Sequence, residues 1–411
     1  MCIRDRVLTV QQARTARERD RANLAAADAA REARNAQASI DFLADVFRGR
    51  NPNQGPNDTV TALELVEWAM ERVPTELADQ PEVRAELLLV LGSAYDNLGY
   101  GERAREAMAA SLELREELHG ATSEEAAEAL GYLTQSFRRG REFGAALETQ
   151  RAAVERLRSL YPGGDPRLAR SLMVLGTIFR DVGALDSAGV YVGEAVAILA
   201  PRAEEDPGSY TDALLALAYI RRGAGALAEA ETLYREGIPR LRALRGAEDP
   251  ELPVHLNNLA YLLRVKGDFT GAEPLYREAL AAVTEAFGRG HPSTSVVSGN
   301  LVSVLQAQGR GAEADSLKSA DVEAVRAHWG GDHWRVGQAL TGLGRLRLTL
   351  GRVDEAAAPL EEAAAVHHRV LGPEHEWTLL AEADVGAQRI LAGREAEGRP
   401  ALDRALAMVE G

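Results

Sequence analysis

The chain has 411 residues and a formal net charge of −15, with 62 acidic against 47 basic side chains. That field disfavours a phosphate backbone as partner, and the single cysteine, Cys2, rules out an internal disulfide framework. No apolar run approaches the roughly 18 residues that a membrane-crossing helix needs.

Residues 1–50 form the first segment. They carry ten arginines and seven acidic residues, a local charge of +3 that leaves −18 for the rest. No Gly or Pro occurs from Val7 to Phe47, which predicts one long helix. Ala22, Ala26, Ala29, Ala33, Ala36, Ile40, Leu43 and Phe47 repeat with 4-3-4-3 spacing. Such spacing is a candidate coiled-coil seam through which the chain would homodimerise, although so much alanine admits other registers. Residues 51–57 hold the Asn51-Pro52-Asn53-Gln54-Gly55-Pro56 run and read as a linker. Met1 to Arg6 lack the apolar core of a secretory signal and read as a start inside a longer helix, so a longer parent chain is expected.

From residue 58 to 411 the chain keeps a ruler. Gly99, Gly140, Gly183, Gly225, Gly267, Gly309, Gly351 and Gly393 follow one another at intervals of 41, 43 and then 42 residues. A fixed period in this range marks stacked supersecondary units, whose function rests on an extended surface. Five residues after each glycine stands a small residue: Ala104, Ala145, Ala188, Ala230, Ala272, Ala314, Ala356 and finally Gly398. Extending the ruler backward puts Ala62 and Ala69 in register, so Thr59 to Leu77 reads as the second helix of a degenerate opening repeat.

Leu252 to Phe287 shows one unit. Leu256, Leu259, Ala260 and Leu263 recur at helical spacing and Gly267 ends that helix. Ala272, Leu275, Tyr276, Ala279 and Leu280 mark a second helix, and Asp249-Pro250 and His291-Pro292 bracket the pair as turns and helix starts. Each repeat is helix, tight turn, helix, longer turn, with no strand signal.

This pattern resembles the tetratricopeptide repeat in the 42-residue form found in kinesin light chains and many bacterial proteins. The residues that carry the resemblance are the Leu-Gly or Leu-Ala pair, the small residue at Ala272 and its equivalents, and the aromatic at Tyr234 or Tyr276. It implies an all-α superhelical solenoid of antiparallel helix pairs: about eight repeats and a degenerate half repeat over residues 58–411, after the long N-terminal helix. The sixth unit departs from the pattern, with Lys318 and Asp321 for an aromatic and an alanine. The last unit, with Gly398 and Pro400, departs as a capping repeat should. The order of charged helix, linker and Asp79-Gln80-Pro81-Glu82-Val83-Arg84-Ala85 is similar to the region that follows the membrane span in bacterial Ser/Thr protein kinases with tetratricopeptide tails. That likeness implies a sensory or docking region on the extracytoplasmic face. The rival is a stand-alone cytoplasmic adaptor of the kinesin-light-chain kind.

No catalytic motif occurs: there is no glycine-rich phosphate loop, His-Arg-Asp or Asp-Phe-Gly. An enzyme is not expected, nor a cofactor. His291, His333 and His375 are 42 apart, so they belong to equivalent turns of successive repeats rather than to one metal site. The first helices are more informative. Arg180, Arg222 and Arg264 lie 42 apart, three residues before their glycines, and Tyr219 and Tyr261 precede two of them by one helical turn. In the resembled family this helix lines a groove, which makes the arginines a ladder for an extended, acidic peptide or a free carboxyl end. Asn258 and Asn300, also 42 apart, fall in a Leu256-Asn257-Asn258-Leu259-Ala260 run that resembles the kinesin-light-chain helix whose asparagine holds peptide backbone. The competing reading pairs these arginines with acidic residues of neighbouring helices.

Overall fold

A computed structural model describes residues 29–31, 33–46 and 60–410. All regular structure among them is helical. The chain falls into two compact units, Met1–Pro201 and Arg202–Gly411.

In the first unit, α1 (33–46) and α2 (Ala62–Glu76) precede three hairpins. These are α3 (Pro81–Asn97) with α4 (Gly101–His119), α5 (Glu124–Arg139) with α6 (Phe143–Leu160), and α7 (Pro166–Asp181) with α8 (Leu185–Leu199). In the second unit the hairpins are α9 (Pro207–Gly223) with α10 (Leu227–Arg245), and α11 (Leu252–Val265) with α12 (Phe269–Phe287). Then come α13 (Pro292–Ala307) with α14 (Gly311–Trp329), α15 (Trp334–Thr349) with α16 (Val353–Leu371), and α17 (Glu376–Leu391) with α18 (Glu395–Glu410). Within each unit the second helix of a hairpin packs on the first helix of the next, so every unit is a continuous stack of antiparallel pairs.

The tight turn has one geometry throughout. At Gly267 the backbone N–H reaches Arg264 O, the next N–H reaches Leu263 O at 2.9 Å, and φ is +81°. This six-to-one closure satisfies carbonyls left over at the helix end and needs a left-handed residue, for which glycine is cheapest. The second repeat corrects the ruler. Gly140 has φ −70°, whereas Arg141 has φ +60° and, with Glu142, makes the bonds to Arg138 O and Phe137 O. The left-handed position is therefore residue 141, and the interval is 42 at every step. Burial agrees: Ala146 and Ala153 are sealed, while Ala145 and Ala152 are only half-buried.

The small-residue positions hold the hairpins together. Ala104, Ala188, Ala230, Ala272, Ala314 and Ala356 are fully buried. Opposite Ala188 stands Gly176, where an added Cβ would come within 2.4 Å of Val192 Cγ2 and 3.1 Å of the Ala188 carbonyl oxygen. A pair of small residues lets the two helix backbones approach this closely.

The opening repeat is more complete than the sequence suggests. Phe42 and Val46 of α1 are buried in one cluster with Ala69 and Val73 of α2 and with Val83 and Leu87 of α3. Arg72 Nη2 donates to Asp45 Oδ2 at 2.7 Å, and its guanidinium lies over the Trp68 and Phe42 rings. Residues 38–46 thus share the core of the array, acting as a first helix for α2. Among the candidate seam residues, Ile40 is exposed and Leu43 packs against that cluster. Ala22, Ala26, Phe47 and the linker at 51–57 lie outside the described residues.

Candidate peptide-docking face

Tyr219 and Arg222 sit one turn apart on α9, and Tyr261 and Arg264 hold the same places on α11. The Arg222 guanidinium carbon is 5.1 Å from the Tyr219 ring centre and 5.7 Å from that of Tyr261. Arg264 lies 5.2 Å from Tyr261. Each cation therefore rests on aromatic faces, and Arg222 spans two repeats. Neither arginine has a carboxylate partner among the described residues. The Nε atoms of both are buried without a hydrogen-bond partner.

Beneath them lie two buried phenols, Tyr234 of α10 and Tyr276 of α12. Burial pushes the Tyr234 hydroxyl up to about 12, opposed by the nearby Arg222 and by Asn258. Tyr276 is raised by burial as well and opposed by Arg264. A guanidinium above a neutral phenol keeps its full charge available to a ligand.

Arg180 is different. It belongs to the first unit, where its Nη2 donates to Asp181 Oδ1 at 2.8 Å. Arg138 Nη2 meets Asp181 Oδ2 at 2.9 Å, an ion pair from α5 to α7. Burial would raise the Asp181 carboxyl, but Arg138 and Arg180 together hold it below its ordinary value. The pairing reading therefore applies to Arg180, and Arg222 with Arg264 are the cations left without a carboxylate. On α13 the same place is taken by Gln306, whose Nε2 donates to Thr349 Oγ1 at 2.9 Å.

The two asparagines part company. Asn258 is a core residue, 7% exposed, with Nδ2 donating to Tyr234 Oη at 3.1 Å. It belongs to packing between repeats and is withdrawn from the groove. Asn300 donates instead to Asn257 Oδ1 at 2.9 Å, so the half-buried pair Asn257 and Asn300 bridges α11 and α13.

Family models of the tetratricopeptide repeat match residues 85–118, 251–318 and 336–376. These segments are tetratricopeptide repeats. No curated protein matches the chain. Among solved structures, BtubC (BKLC) from P. vanneervenii is 24% identical over 56% of this chain and 93% of its own, with a TM-score of 0.45. A putative kinesin light chain from Podosopora anserina with nearly identical TPR-like repeats is 23% identical over 50% of this chain and 97% of its own, TM-score 0.46. The apo form of the quorum sensor NprR from B. thuringiensis is 13% identical over 92% of this chain and 99% of its own, TM-score 0.50. At that identity the likeness concerns the fold.

The repeat histidines are helix caps. The Nδ1 atoms of His291, His333 and His375 accept the backbone N–H two residues on, at 3.2, 3.2 and 3.1 Å. Ser123 and Asp165 cap the corresponding repeats of the first unit. Three residues before Ser123, His291, His333 and His375 stand Gly120, Gly288, Gly330 and Gly372, all with positive φ. This second 42-residue series is visible in the sequence once the capping residues are used as its markers. No group of three or more His, Cys, Asp or Glu able to hold a metal occurs among the described residues.

Proposed function

We propose that the chain is a non-enzymatic binding scaffold whose second unit docks an extended acidic peptide segment across α9, α11 and α13. The observation that carries this reading is the Arg222–Arg264 pair: two guanidiniums stacked on Tyr219 and Tyr261, desolvated at Nε and without a carboxylate. Such groups favour an incoming anion, because charge-assisted bidentate bonds replace water only where geometry is already set. Tyr219, 39% exposed, adds apolar area beside them. The Asn257–Asn300 pair, further along α11 and α13, offers amides to a peptide backbone. Tetratricopeptide repeats as a class bind proteins and peptides, which fits this use. The test is an array of acidic peptides and their charge-reversed counterparts, probed with the full chain and with Arg222→Gln/Arg264→Gln. Preferential capture of acidic peptides by the wild type alone supports the docking face.

The wider role we infer is the sensory or docking region of a bacterial membrane Ser/Thr protein kinase. Its support is the order of charged helix, Pro/Gly linker and repeats. No helix among the described residues is long and apolar enough to cross a membrane. The reading frame upstream of residue 1 decides between this role and a stand-alone adaptor: a kinase domain with an apolar run of about 20 residues supports the first.

A further inference from the structure

Nine residues after each repeat turn, the second helix places a side chain under the gap between two first helices. Tyr234 and Tyr276 occupy that place in the first two hairpins of the second unit, both fully buried. In the third hairpin the place is held by Lys318 on α14. A cavity of about 450 Å³ opens beside it, between α13 and α15. Lysine has no ring to fill the gap, and the facing position on α15 is Gly342, where an added Cβ would come within 2.8 Å of Lys318 Cε.

The cavity has a polarity of its own. The Lys318 ammonium makes no hydrogen bond or ion pair among the described residues. Asp321, next to it on α14, is almost sealed and already engaged: Ser298 Oγ donates to one oxygen and Arg289 Nε faces the other at 3.4 Å. Arg335 lines the same space, 4.4 Å from the Trp334 ring centre and 5.2 Å from Trp329, again without a carboxylate among the described residues. Val325 and Trp334 supply apolar wall. Burial draws the Lys318 ammonium below the usual lysine range, partly opposed by Asp321. A half-buried cation with no acceptor has given up part of its hydration, and an anion that enters compensates it.

We propose that this cavity binds a small organic monocarboxylate with an apolar body, the carboxylate meeting Lys318 and Arg335 and the body lying against Trp334 and Val325. Its volume falls in the range of small-ligand sites, which bury an apolar body and orient it with a few polar groups. The ammonium and the stacked guanidinium can each meet one oxygen of a carboxylate. A bare phosphoryl group would leave the tryptophan wall unused. Its two cations stand on α14 and α15, whereas the arginines of the docking face stand on α9 and α11.

The experiment uses the full chain with phenylacetate, read by saturation-transfer NMR and titration calorimetry. Phenethylamine and inorganic phosphate serve as competitors. Saturable phenylacetate binding is expected, displaced by neither competitor. Lys318→Met keeps the volume and removes the charge, and weakens binding by about tenfold or more. Lys318→Tyr installs the residue of the two preceding repeats, fills the cavity and abolishes binding. Circular-dichroism melting confirms that each variant is folded, and the Met variant carries the test by itself if the Tyr variant is not. Arg222→Gln/Arg264→Gln binds phenylacetate as the wild type does, which separates this site from the docking face. Absence of saturable binding to the wild type overturns the proposal, as does unchanged binding by Lys318→Met. Displacement by phosphate overturns the carboxylate assignment.

Discussion

The Tyr234 hydroxyl on α10 accepts a 3.1 Å hydrogen bond from Asn258 Nδ2 on α11, inside the gap between two repeats. One repeat later Tyr276 fills the same place, but its hydroxyl is buried with no hydrogen-bond partner and Asn300 turns to Asn257 instead. Register thus sets where a side chain stands, and its immediate neighbours set what it does there.

This contrast predicts opposite outcomes for one chemical change. Tyr234→Phe strands a buried amide and should cost about 1–3 kcal/mol. Tyr276→Phe removes a hydroxyl that has no partner and should be neutral or stabilising. Chemical denaturation of both variants measures the difference. Equal losses would mean that the two hydroxyls are equally satisfied.

Arg141 holds a backbone conformation that seven other repeats give to glycine. A non-glycine residue in the left-handed region costs roughly 1–2 kcal/mol. Arg141→Gly relieves that cost, offset by the extra freedom glycine gives the unfolded chain. A net gain of about 0.5–1 kcal/mol is expected, and an increase in melting temperature checks it. Gly140→Ala should be mild by comparison, because φ there is −70°.

The N-terminal boundary gives a third expectation. Phe42 is 6% exposed and Val46 2%, both against α2 and α3. Deleting residues 1–46 uncovers that face, so the first unit should lose stability and expose apolar surface to a fluorescent dye. Phe42→Ala by itself should cost about 3–5 kcal/mol. A truncated chain that melts with the wild type would show that α1 contributes nothing to the array.

The repeat architecture was legible because small side chains and glycines answer to local geometry. Ala272 is small where two helices meet, and Gly267 is glycine because its turn needs positive φ. The Arg141 register was hidden because glycine stands one residue early, at a position whose φ any residue can adopt. The fates of the arginines were not legible either. Arg180 and Arg222 share a sequence position, yet the difference between them is Asp181, whose equivalent one repeat later is Gly223. Asn258 looked like a groove residue because helical spacing alone does not separate a buried polar contact from an exposed one.

The docking face yields the last prediction. Arg222→Gln/Arg264→Gln removes two charges that no described carboxylate offsets, so the folded state loses little. The stacking on Tyr219 and Tyr261 contributes roughly 0.5–1 kcal/mol per partly exposed arginine, and the melting temperature should fall by only a few degrees. Binding of an acidic peptide should weaken by about tenfold per contacted arginine, the worth of one charge-assisted bond. Wild-type affinity should fall as salt is added, more steeply than that of the double variant, because screening acts on the charges that the variant lacks. Arg180→Gln serves as the control: its guanidinium already meets Asp181, so peptide affinity should not change. Fluorescence anisotropy with one labelled peptide at several ionic strengths reads all three comparisons. If the double variant binds as tightly as the wild type with the same salt slope, the acidic peptide is held somewhere other than α9 and α11.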